Sequence, residues 1–342
     1  MPYAQQTKFN KSVFLFMGTL FIVVGCFFIQ MPTWLRMIII FATLGLFMFL
    51  RRGFVYFAQG ASYLKMGEDE KAIAKLKASV KAGVGNEQKI AIGTVLIQKN
   101  HTAEGIAILK DVLKKHPGRE DMNRAKIGRS MGLWKDGDAS GAIELLESVL
   151  DSGYGDNNLY VNLTTYLLAD GRTEKAKKII ARADELEIDV PGFVDNKGWY
   201  AILSGRWSKT AEIYDKLINV DNAVFPEAYL HGAQVEVHKK NYEDAMTYIG
   251  WGLTKNFPAT CTVSKEYMEN LFKGLENPAT RKAFAQSMED NKDLVACGKP
   301  FEGLSLIKDY DGPAFVVREQ VVRVEAEDDD DRMPDTDLNE ND

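Results

Sequence analysis

The side chains that most often carry chemistry, histidine and cysteine, stand in no pattern typical of a catalytic or metal site. His231 and His238 are seven residues apart on one face of a predicted helix, whereas helical zinc ligands usually stand four apart with a third ligand nearby. We therefore interpret both histidines as surface or groove residues. Cys26, Cys261 and Cys297 form no CxxC pair, which favours reduced thiols over a disulfide framework or a zinc site.

The sequence motifs of the common enzyme classes are absent or stand in the wrong context. The chain has no GxGxxG after a strand, no GxxxxGK[ST] and no HExxH, and its one GxSxG match, residues 128–132, lies in the predicted first helix of a repeat and not at a strand-to-helix turn. We therefore predict no catalytic residues, no metal site and no cofactor. The sequence favours a binding protein over an enzyme.

Charge is unevenly distributed along the 342 residues. The formal net charge is −6, but residues 325–342 hold ten acidic residues against one arginine, so the rest of the chain carries +3. That weak and dispersed positive charge argues against nucleic acid as a partner. We expect residues 299–342 to form a weakly ordered segment followed by an acidic, disordered tail.

The first fifty residues predict a membrane anchor. After a short N terminus, residues 1–11, the run over residues 12–29 contains 18 consecutive uncharged residues, close to the roughly 20 that a helix needs to cross a bilayer. No small-x-small cleavage site follows, which favours an uncleaved span over a secretory signal. After Pro32 a second apolar run predicts another span over residues 34–50, with Trp34 at the membrane interface.

Basic residues predict how this hairpin is oriented. Two lysines precede the first run and Arg51 and Arg52 follow the second, while the turn between the runs holds only Arg36. By the positive-inside rule both termini face the cytoplasm, so residues 12–50 anchor the rest of the chain at the cytoplasmic face of a bacterial-type inner (plasma) membrane. The alternative is a single span, with the second run lying in the interface and the following residues outside.

From Tyr56 onward a helical pattern repeats. A small residue opens an apolar helix in each repeat, and successive ones are 33, 37, 34, 34 and 35 residues apart; these anchor residues are Ala72, Gly105, Ala142, Ala176, Thr210 and Ala245. An apolar or aromatic residue stands four positions after each anchor, and a small or apolar one three positions further. This stripe predicts one buried helix face. A period near 34 is typical of stacked helix-turn-helix units.

The repeats resemble tetratricopeptide repeats (TPRs). The family places a small residue in the first helix of each unit, twelve positions before the anchor, and here these are Gly60, Gly93, Ser130, Thr164, Gly198 and Ala233. The turn between the two helices often carries glycine or asparagine, as at Gly67, Asn100, Gly137, Gly171 and Gly205. The resemblance covers residues 53–258 and implies an all-α fold. Six helix pairs would form a right-handed α-solenoid after the transmembrane hairpin, with capping helices in residues 259–298.

The resemblance also implies where partners bind, because in TPR arrays the first helix of each unit lines a concave groove. The matching positions are Ile127, Met131, Trp134, Val161, Thr165, Leu168, Asp195, Trp199, Ile202, Leu230, Gln234 and His238. Most are aliphatic or aromatic, unlike the lysine, asparagine and arginine with which chaperone adaptors grip a carboxyl terminus. The set suits an amphipathic helix or an extended apolar peptide. For each of these residues, the alternative is that its side chain does not line the groove but lies in the core between helices.

Two functions follow from this organisation. The first is a membrane-anchored scaffold that binds protein partners through the groove at the cytoplasmic face. The second is an assembly or regulatory subunit of a membrane enzyme or transporter, in which the hairpin itself makes the specific contact.

Overall fold

The computed structural model describes residues 11–307 and Gln320, with side chains from Phe14 onward. Every regular element in these residues is a helix. Contacts divide the chain into two compact units, residues 1–132 and 133–342. An all-α fold is therefore confirmed for the part of the chain that the structure describes.

Two apolar helices come first and are in contact with each other: α1 (Lys11–Phe28) and α2 (Thr33–Leu50). The rings of Phe16 and Phe47 meet edge to face, with centroids 6.5 Å apart. α2 is long and apolar enough to cross a bilayer, with a mean hydropathy of 2.0 over 18 residues, none of them buried. The apolar part of α1, Phe14–Phe28, is shorter.

Six helix pairs follow in the chain. They are α3 (Arg52–Lys65) with α4 (Asp69–Ala82), α5 (Asn86–Gln98) with α6 (Thr102–Lys114), α7 (Arg119–Lys135) with α8 (Ala139–Asp151), α9 (Asn157–Ala169) with α10 (Thr173–Glu185), α11 (Pro191–Leu203) with α12 (Trp207–Asn219), and α13 (Pro226–His238) with α14 (Tyr242–Leu253). All six anchor residues are buried, and so are the residues four and seven positions after each of them. The predicted register of the second helices is confirmed.

In three first helices a glycine (Gly60, Gly93 or Gly198) makes room for a large residue from the second helix. A Cβ atom added at Gly60 would lie 2.7 Å from Cδ2 of Leu76, and one added at Gly198 would lie 2.6 Å from Cζ of Tyr214. Both distances are shorter than van der Waals contact. The residue four positions after the anchor therefore occupies the volume that the glycine leaves open, and this contact joins the two helices of a pair.

The turn inside each pair is one hydrogen-bonded motif repeated six times. In the first pair the N–H of Glu68 donates to the carbonyl of Tyr63, and the N–H of Gly67 donates to that of Leu64. This is the Schellman motif, which needs a residue with positive φ at the end of the helix. Those residues are Gly67, Asn100, Gly137, Gly171, Gly205 and Lys240. The predicted turn residues thus lie where the left-handed conformation is required, and the sixth turn places a lysine there.

Three helices end the array within the predicted capping region: α15 (Lys265–Glu276), α16 (Arg281–Asp290) and α17 (Lys292–Ala296). α15 packs against α14 and α16, whereas α16 and α17 turn back onto α13.

We predicted a weakly ordered segment from residue 299 onward, and this prediction is wrong for the first residues of that segment. A 3₁₀ helix over Glu302–Ile307 packs on α15 and α16, and Phe301 is buried with its ring 5.7 Å from that of Phe284. The acidic tail and the N-terminal residues 1–10 lie outside the described residues.

A larger side chain at an anchor should destabilise the fold. Ala176→Leu places three extra carbons at a site with no solvent exposure, and overpacking of this kind costs about 1–3 kcal/mol. Lys177→Leu is the matched control, because the neighbouring residue is exposed on the same helix. We expect urea unfolding of the detergent-solubilised chain to shift for the first variant only. Equal shifts for both variants would contradict the register.

Candidate partner-binding site

The twelve predicted groove residues differ widely in exposure. Seven are buried (Ile127, Leu168, Asp195, Trp199, Ile202, Leu230 and Gln234), four are half-buried (Met131, Trp134, Val161 and Thr165), and His238 is exposed. Five of the twelve side chains are therefore at least partly accessible, and for the other seven the structure gives the core alternative. Their part in partner binding stays a prediction.

In the unit of residues 1–132, the two predicted residues belong to the packing between helices. Ile127 is buried on α7, and Met131 packs against an apolar cluster that includes Ile97, Leu109 and Val112. Neither residue projects freely into solvent. We therefore look for the partner site in the unit of residues 133–342.

In that unit a buried asparagine holds the predicted groove positions of α9 against α11. The side-chain amide of Asn196 donates to the carbonyl of Val161 at 2.9 Å, and the hydroxyl of Thr165 donates to Oδ1 of Asn196 at 3.0 Å. Because one side chain bonds two positions a turn apart on α9, the two first helices keep a fixed register. Val161 and Thr165 thus have a rigid base, although their outer atoms stay partly accessible.

An aromatic stack lies next to these residues. The rings of Trp134 and Tyr166 are parallel within 10° and their centroids are 4.5 Å apart. Tyr166 is buried, and burial raises the pKa of its hydroxyl well above the usual range, so it stays neutral. Trp134 covers it and remains half-buried. Flat aromatic groups of this kind are common anchors for partner side chains.

His231 is not a surface residue, contrary to the sequence-based interpretation. Its side chain is fully buried, and each ring nitrogen contacts an oxygen: Nδ1 lies 2.7 Å from Oδ1 of Asp195, and Nε2 lies 3.1 Å from the carbonyl of Ala296. The hydroxyl of Tyr214 donates to the same Asp195 oxygen at 3.0 Å. Since a carboxylate and a carbonyl only accept hydrogen bonds, the ring donates from both nitrogens as an imidazolium.

The surroundings of His231 favour this charged form. Burial by itself lowers the pKa of the imidazole, but the charge and hydrogen bond of Asp195 raise it, with help from the Ala296 carbonyl and the charge of Glu227. The upward effects prevail, so the pKa of His231 lies above its ordinary 6.5. Burial and the Asp195 charge also raise the pKa of Tyr214, which therefore remains a hydrogen-bond donor.

An aspartate–histidine pair also occurs in acid–base catalysis, where the second ring nitrogen faces the substrate. Here that nitrogen bonds the Ala296 carbonyl, and the ring has no contact with solvent. The pair instead joins three helices, because Asp195 belongs to α11, His231 to α13 and Ala296 to α17. Within residues 11–307 and Gln320, no three histidine, cysteine or acidic side chains are grouped as metal ligands would be.

The sequence does contain a weak signal for this pair. Asp195 and His231 are 36 residues apart, about one repeat, and both stand on first helices. Residues one repeat apart on first helices are neighbours in a stacked array. Two groups of opposite charge at that spacing therefore predict an ion pair. The contact with Ala296 had no such signal, because α17 lies outside the repeat.

Comparison with known proteins adds one finding. No protein-family description and no curated protein matches the sequence. Among solved structures, a tetratricopeptide repeat protein from Parabacteroides merdae ATCC 43184 aligns with a TM-score of 0.48 and 15% identity, over 75% of this chain and 99% of that one. The chain has a TPR-like fold, and this assignment rests on its own helix pairs, turns and anchor contacts.

The buried pair makes stability depend on pH. Because the pKa of His231 is raised on folding, its contribution is fully present below the unfolded value of about 6.5 and is lost as pH rises through the folded value. We expect the urea midpoint of the full chain to fall more steeply above pH 6.5 than that of His231→Gln. The exposed His238 provides the control, and His238→Gln should keep the wild-type slope. Parallel profiles for all three proteins would rule out a charged His231.

Proposed function

We propose that this chain is a membrane-anchored scaffold that binds protein partners at the cytoplasmic face of the membrane. One observation carries the proposal: an unburied apolar helix, α2, is followed after a single residue, Arg51, by the first helix pair of a TPR-like array. An apolar helix of this length with no buried residue is costly in water and favourable in a bilayer. An array fixed to its end stays close to the membrane surface.

The arginines after α2 support the cytoplasmic orientation. The guanidinium of Arg52 lies 4.1 Å from the ring centroid of Phe49 and donates to the Phe49 carbonyl at 3.1 Å. Arg51 lies over the ring of Phe54, 5.6 Å from its centroid. The charges thus sit at the end of the apolar helix, where the positive-inside rule places the cytoplasm.

The partner site that the residues support best surrounds the Trp134–Tyr166 stack, with Val161 and Thr165 beside it. None of these four side chains carries a charge, and Trp134, Val161 and Thr165 are half-buried. They suit the apolar side chains of a partner helix or an extended peptide more than a carboxylate. An array of stacked helix pairs offers such a partner a long, rigid surface.

A second function, a subunit that contacts a membrane enzyme or transporter through its hairpin, is favoured by a different observation. Gly18, Gly25 and Gly45 lie in α1 and α2, and a Cβ atom added at any of them meets nothing within 4 Å. Small residues on the surface of a membrane helix let another helix approach closely. Under this alternative the specific partner is a membrane helix.

One pair of variants distinguishes the two functions. For a scaffold, Trp134→Ala should weaken partner capture from native membranes by tenfold or more, since interface aromatics often contribute about 2 kcal/mol. Gly25→Leu should then have no effect. For a hairpin subunit, Gly25→Leu should weaken partner capture and Trp134→Ala should have no effect. Trp199→Ala serves as the folding control, because Trp199 is 1% exposed and its truncation should cost about 3–5 kcal/mol in stability.

The topology has its own test. In a chain whose three native cysteines are replaced by serine, Thr33→Cys should react with an impermeant thiol reagent in intact cells, because the turn of the hairpin lies outside. Lys110→Cys, an exposed site in the array, should react only after the cells are opened. Labelling of Lys110→Cys in sealed cells would favour the single span.

A further inference from the structure

The segment of residues 292–299, which we call the latch, lies on the face formed by α9, α11 and α13. This segment includes α17, which contacts α11 and α13. At its centre Val295 and Ala296 have no solvent exposure. The latch comes from beyond the repeats, yet it covers predicted groove residues such as Gln234. Its contacts therefore indicate which chemical groups this face can bind.

Two lysines of the latch bond the ends of two first helices. The ammonium group of Lys299 donates to the carbonyl of Ala169, the last residue of α9, at 2.8 Å. That of Lys292 donates to the carbonyl of Leu203, the last residue of α11, also at 2.8 Å. Carbonyls in the last turn of a helix lack partners within the helix and carry the negative end of its dipole. Successive first helices thus offer two sites for cations.

Side chains of α13 bond the main chain of the latch between these lysines. The amide nitrogen of Gln234 donates to the carbonyl of Lys292 at 3.0 Å, and Nε2 of His231 donates to that of Ala296 at 3.1 Å. The two α13 residues are three positions apart, on one face of the helix. Tyr267 on α15 adds a bond from its hydroxyl to the carbonyl of Lys299 at 3.1 Å. Main-chain carbonyls of the segment are therefore recognised as those of a bound peptide are.

The latch leaves two polar groups on this face without partners. Among the described residues, neither Oε1 of Gln234 nor Nε1 of Trp199 has a hydrogen bond, although both atoms are buried. Trp199 stacks near His231, with ring centroids 5.1 Å apart. A buried polar group without a partner is unfavourable, so a ligand that supplies an acceptor to Trp199 and a donor to Gln234 would satisfy two groups that the latch leaves unpaired.

From these contacts we propose that the latch is an intramolecular occupant of a peptide-binding face, and that a protein partner displaces it. The proposal deepens the proposed scaffold function and rests on it. The partner segment has the chemistry of the latch: two lysines seven residues apart on either side of small apolar residues, in a short helical turn. Before displacement the α9–α13 face is closed, while the Trp134–Tyr166 stack is open to a first contact.

The test uses the full chain in detergent and a fluorescent synthetic peptide of residues 290–300 that carries Cys297→Ser. In the chain, Lys292→Gln with Lys299→Gln should free the face. We expect this double variant to bind the peptide at least tenfold more tightly than the wild type, because the internal competitor no longer lowers the fraction of binding-competent chains. Hydrogen exchange in residues 292–299 should rise at least tenfold, while residues 157–253 keep their protection.

Two controls separate this result from a general loss of structure or charge. Lys265→Gln with Lys273→Gln removes the same charge from exposed positions on α15 and should change neither measurement. The peptide with glutamine at both lysine positions should not bind. If exchange rises equally across residues 157–253, the latch is part of the array's core and the proposal is wrong. An unchanged peptide affinity also overturns it, whereas partner capture that still depends on Trp134 leaves the scaffold function standing.

Discussion

The structure depends on the contact between a large side chain on one helix and the small residue opposite it on the next. A helix pair cannot bury its apolar face alone, so each pair needs a close neighbour. Leu76 against Gly60 sets the distance in the first pair, and Tyr214 against Gly198 sets it in the fifth. The repeated turn fixes the angle at which the chain reverses. The turn is the same in all six pairs, whereas the glycine occurs in three of them, and the units differ further in what covers their outer faces.

Burial is most complete on α13, where eleven of thirteen residues are buried. α13 contacts α11, α12 and α14 within the repeats, and α16 and α17 beyond them. A helix enclosed on all sides would be expected to be apolar throughout. α13 instead buries His231, Gln234 and Glu236, and each of these bonds another side chain or a carbonyl. His231 and Gln234 bond the segment that covers α13 and so favour one arrangement of its main chain, whereas apolar packing alone would accept many.

The periodic part of the fold was predictable, because each repeat shows the same pattern of small and apolar residues. Anchors such as Ala142 and turn residues such as Gly137 follow from six agreeing copies, and their positions in the structure match the prediction. The return of α17 was not predictable, because the contact between Ala296 and His231 joins residues 65 positions apart and occurs once. The groove prediction misjudged the exposure of seven of its twelve residues, which are buried, and their part in partner binding stays a prediction. Trp199 was expected in the groove and is buried, while Trp134 remains partly accessible.

Both lysines of the latch donate to main-chain carbonyl oxygens at the ends of α9 and α11, and Lys292 also contacts the carboxylate of its neighbour Asp293. Every residue type offers the same carbonyl, so the identities of Ala169 and Leu203 matter little to this recognition as long as α9 and α11 end where they do. A substitution at Ala169 or Leu203 therefore leaves the carbonyl that binds the lysine in place. An insertion that lengthens α9 or α11 by one residue has the opposite effect, because it rotates the terminal carbonyl by about 100° around the helix axis. The two cation sites thus depend more on where α9 and α11 end than on which residue type stands there.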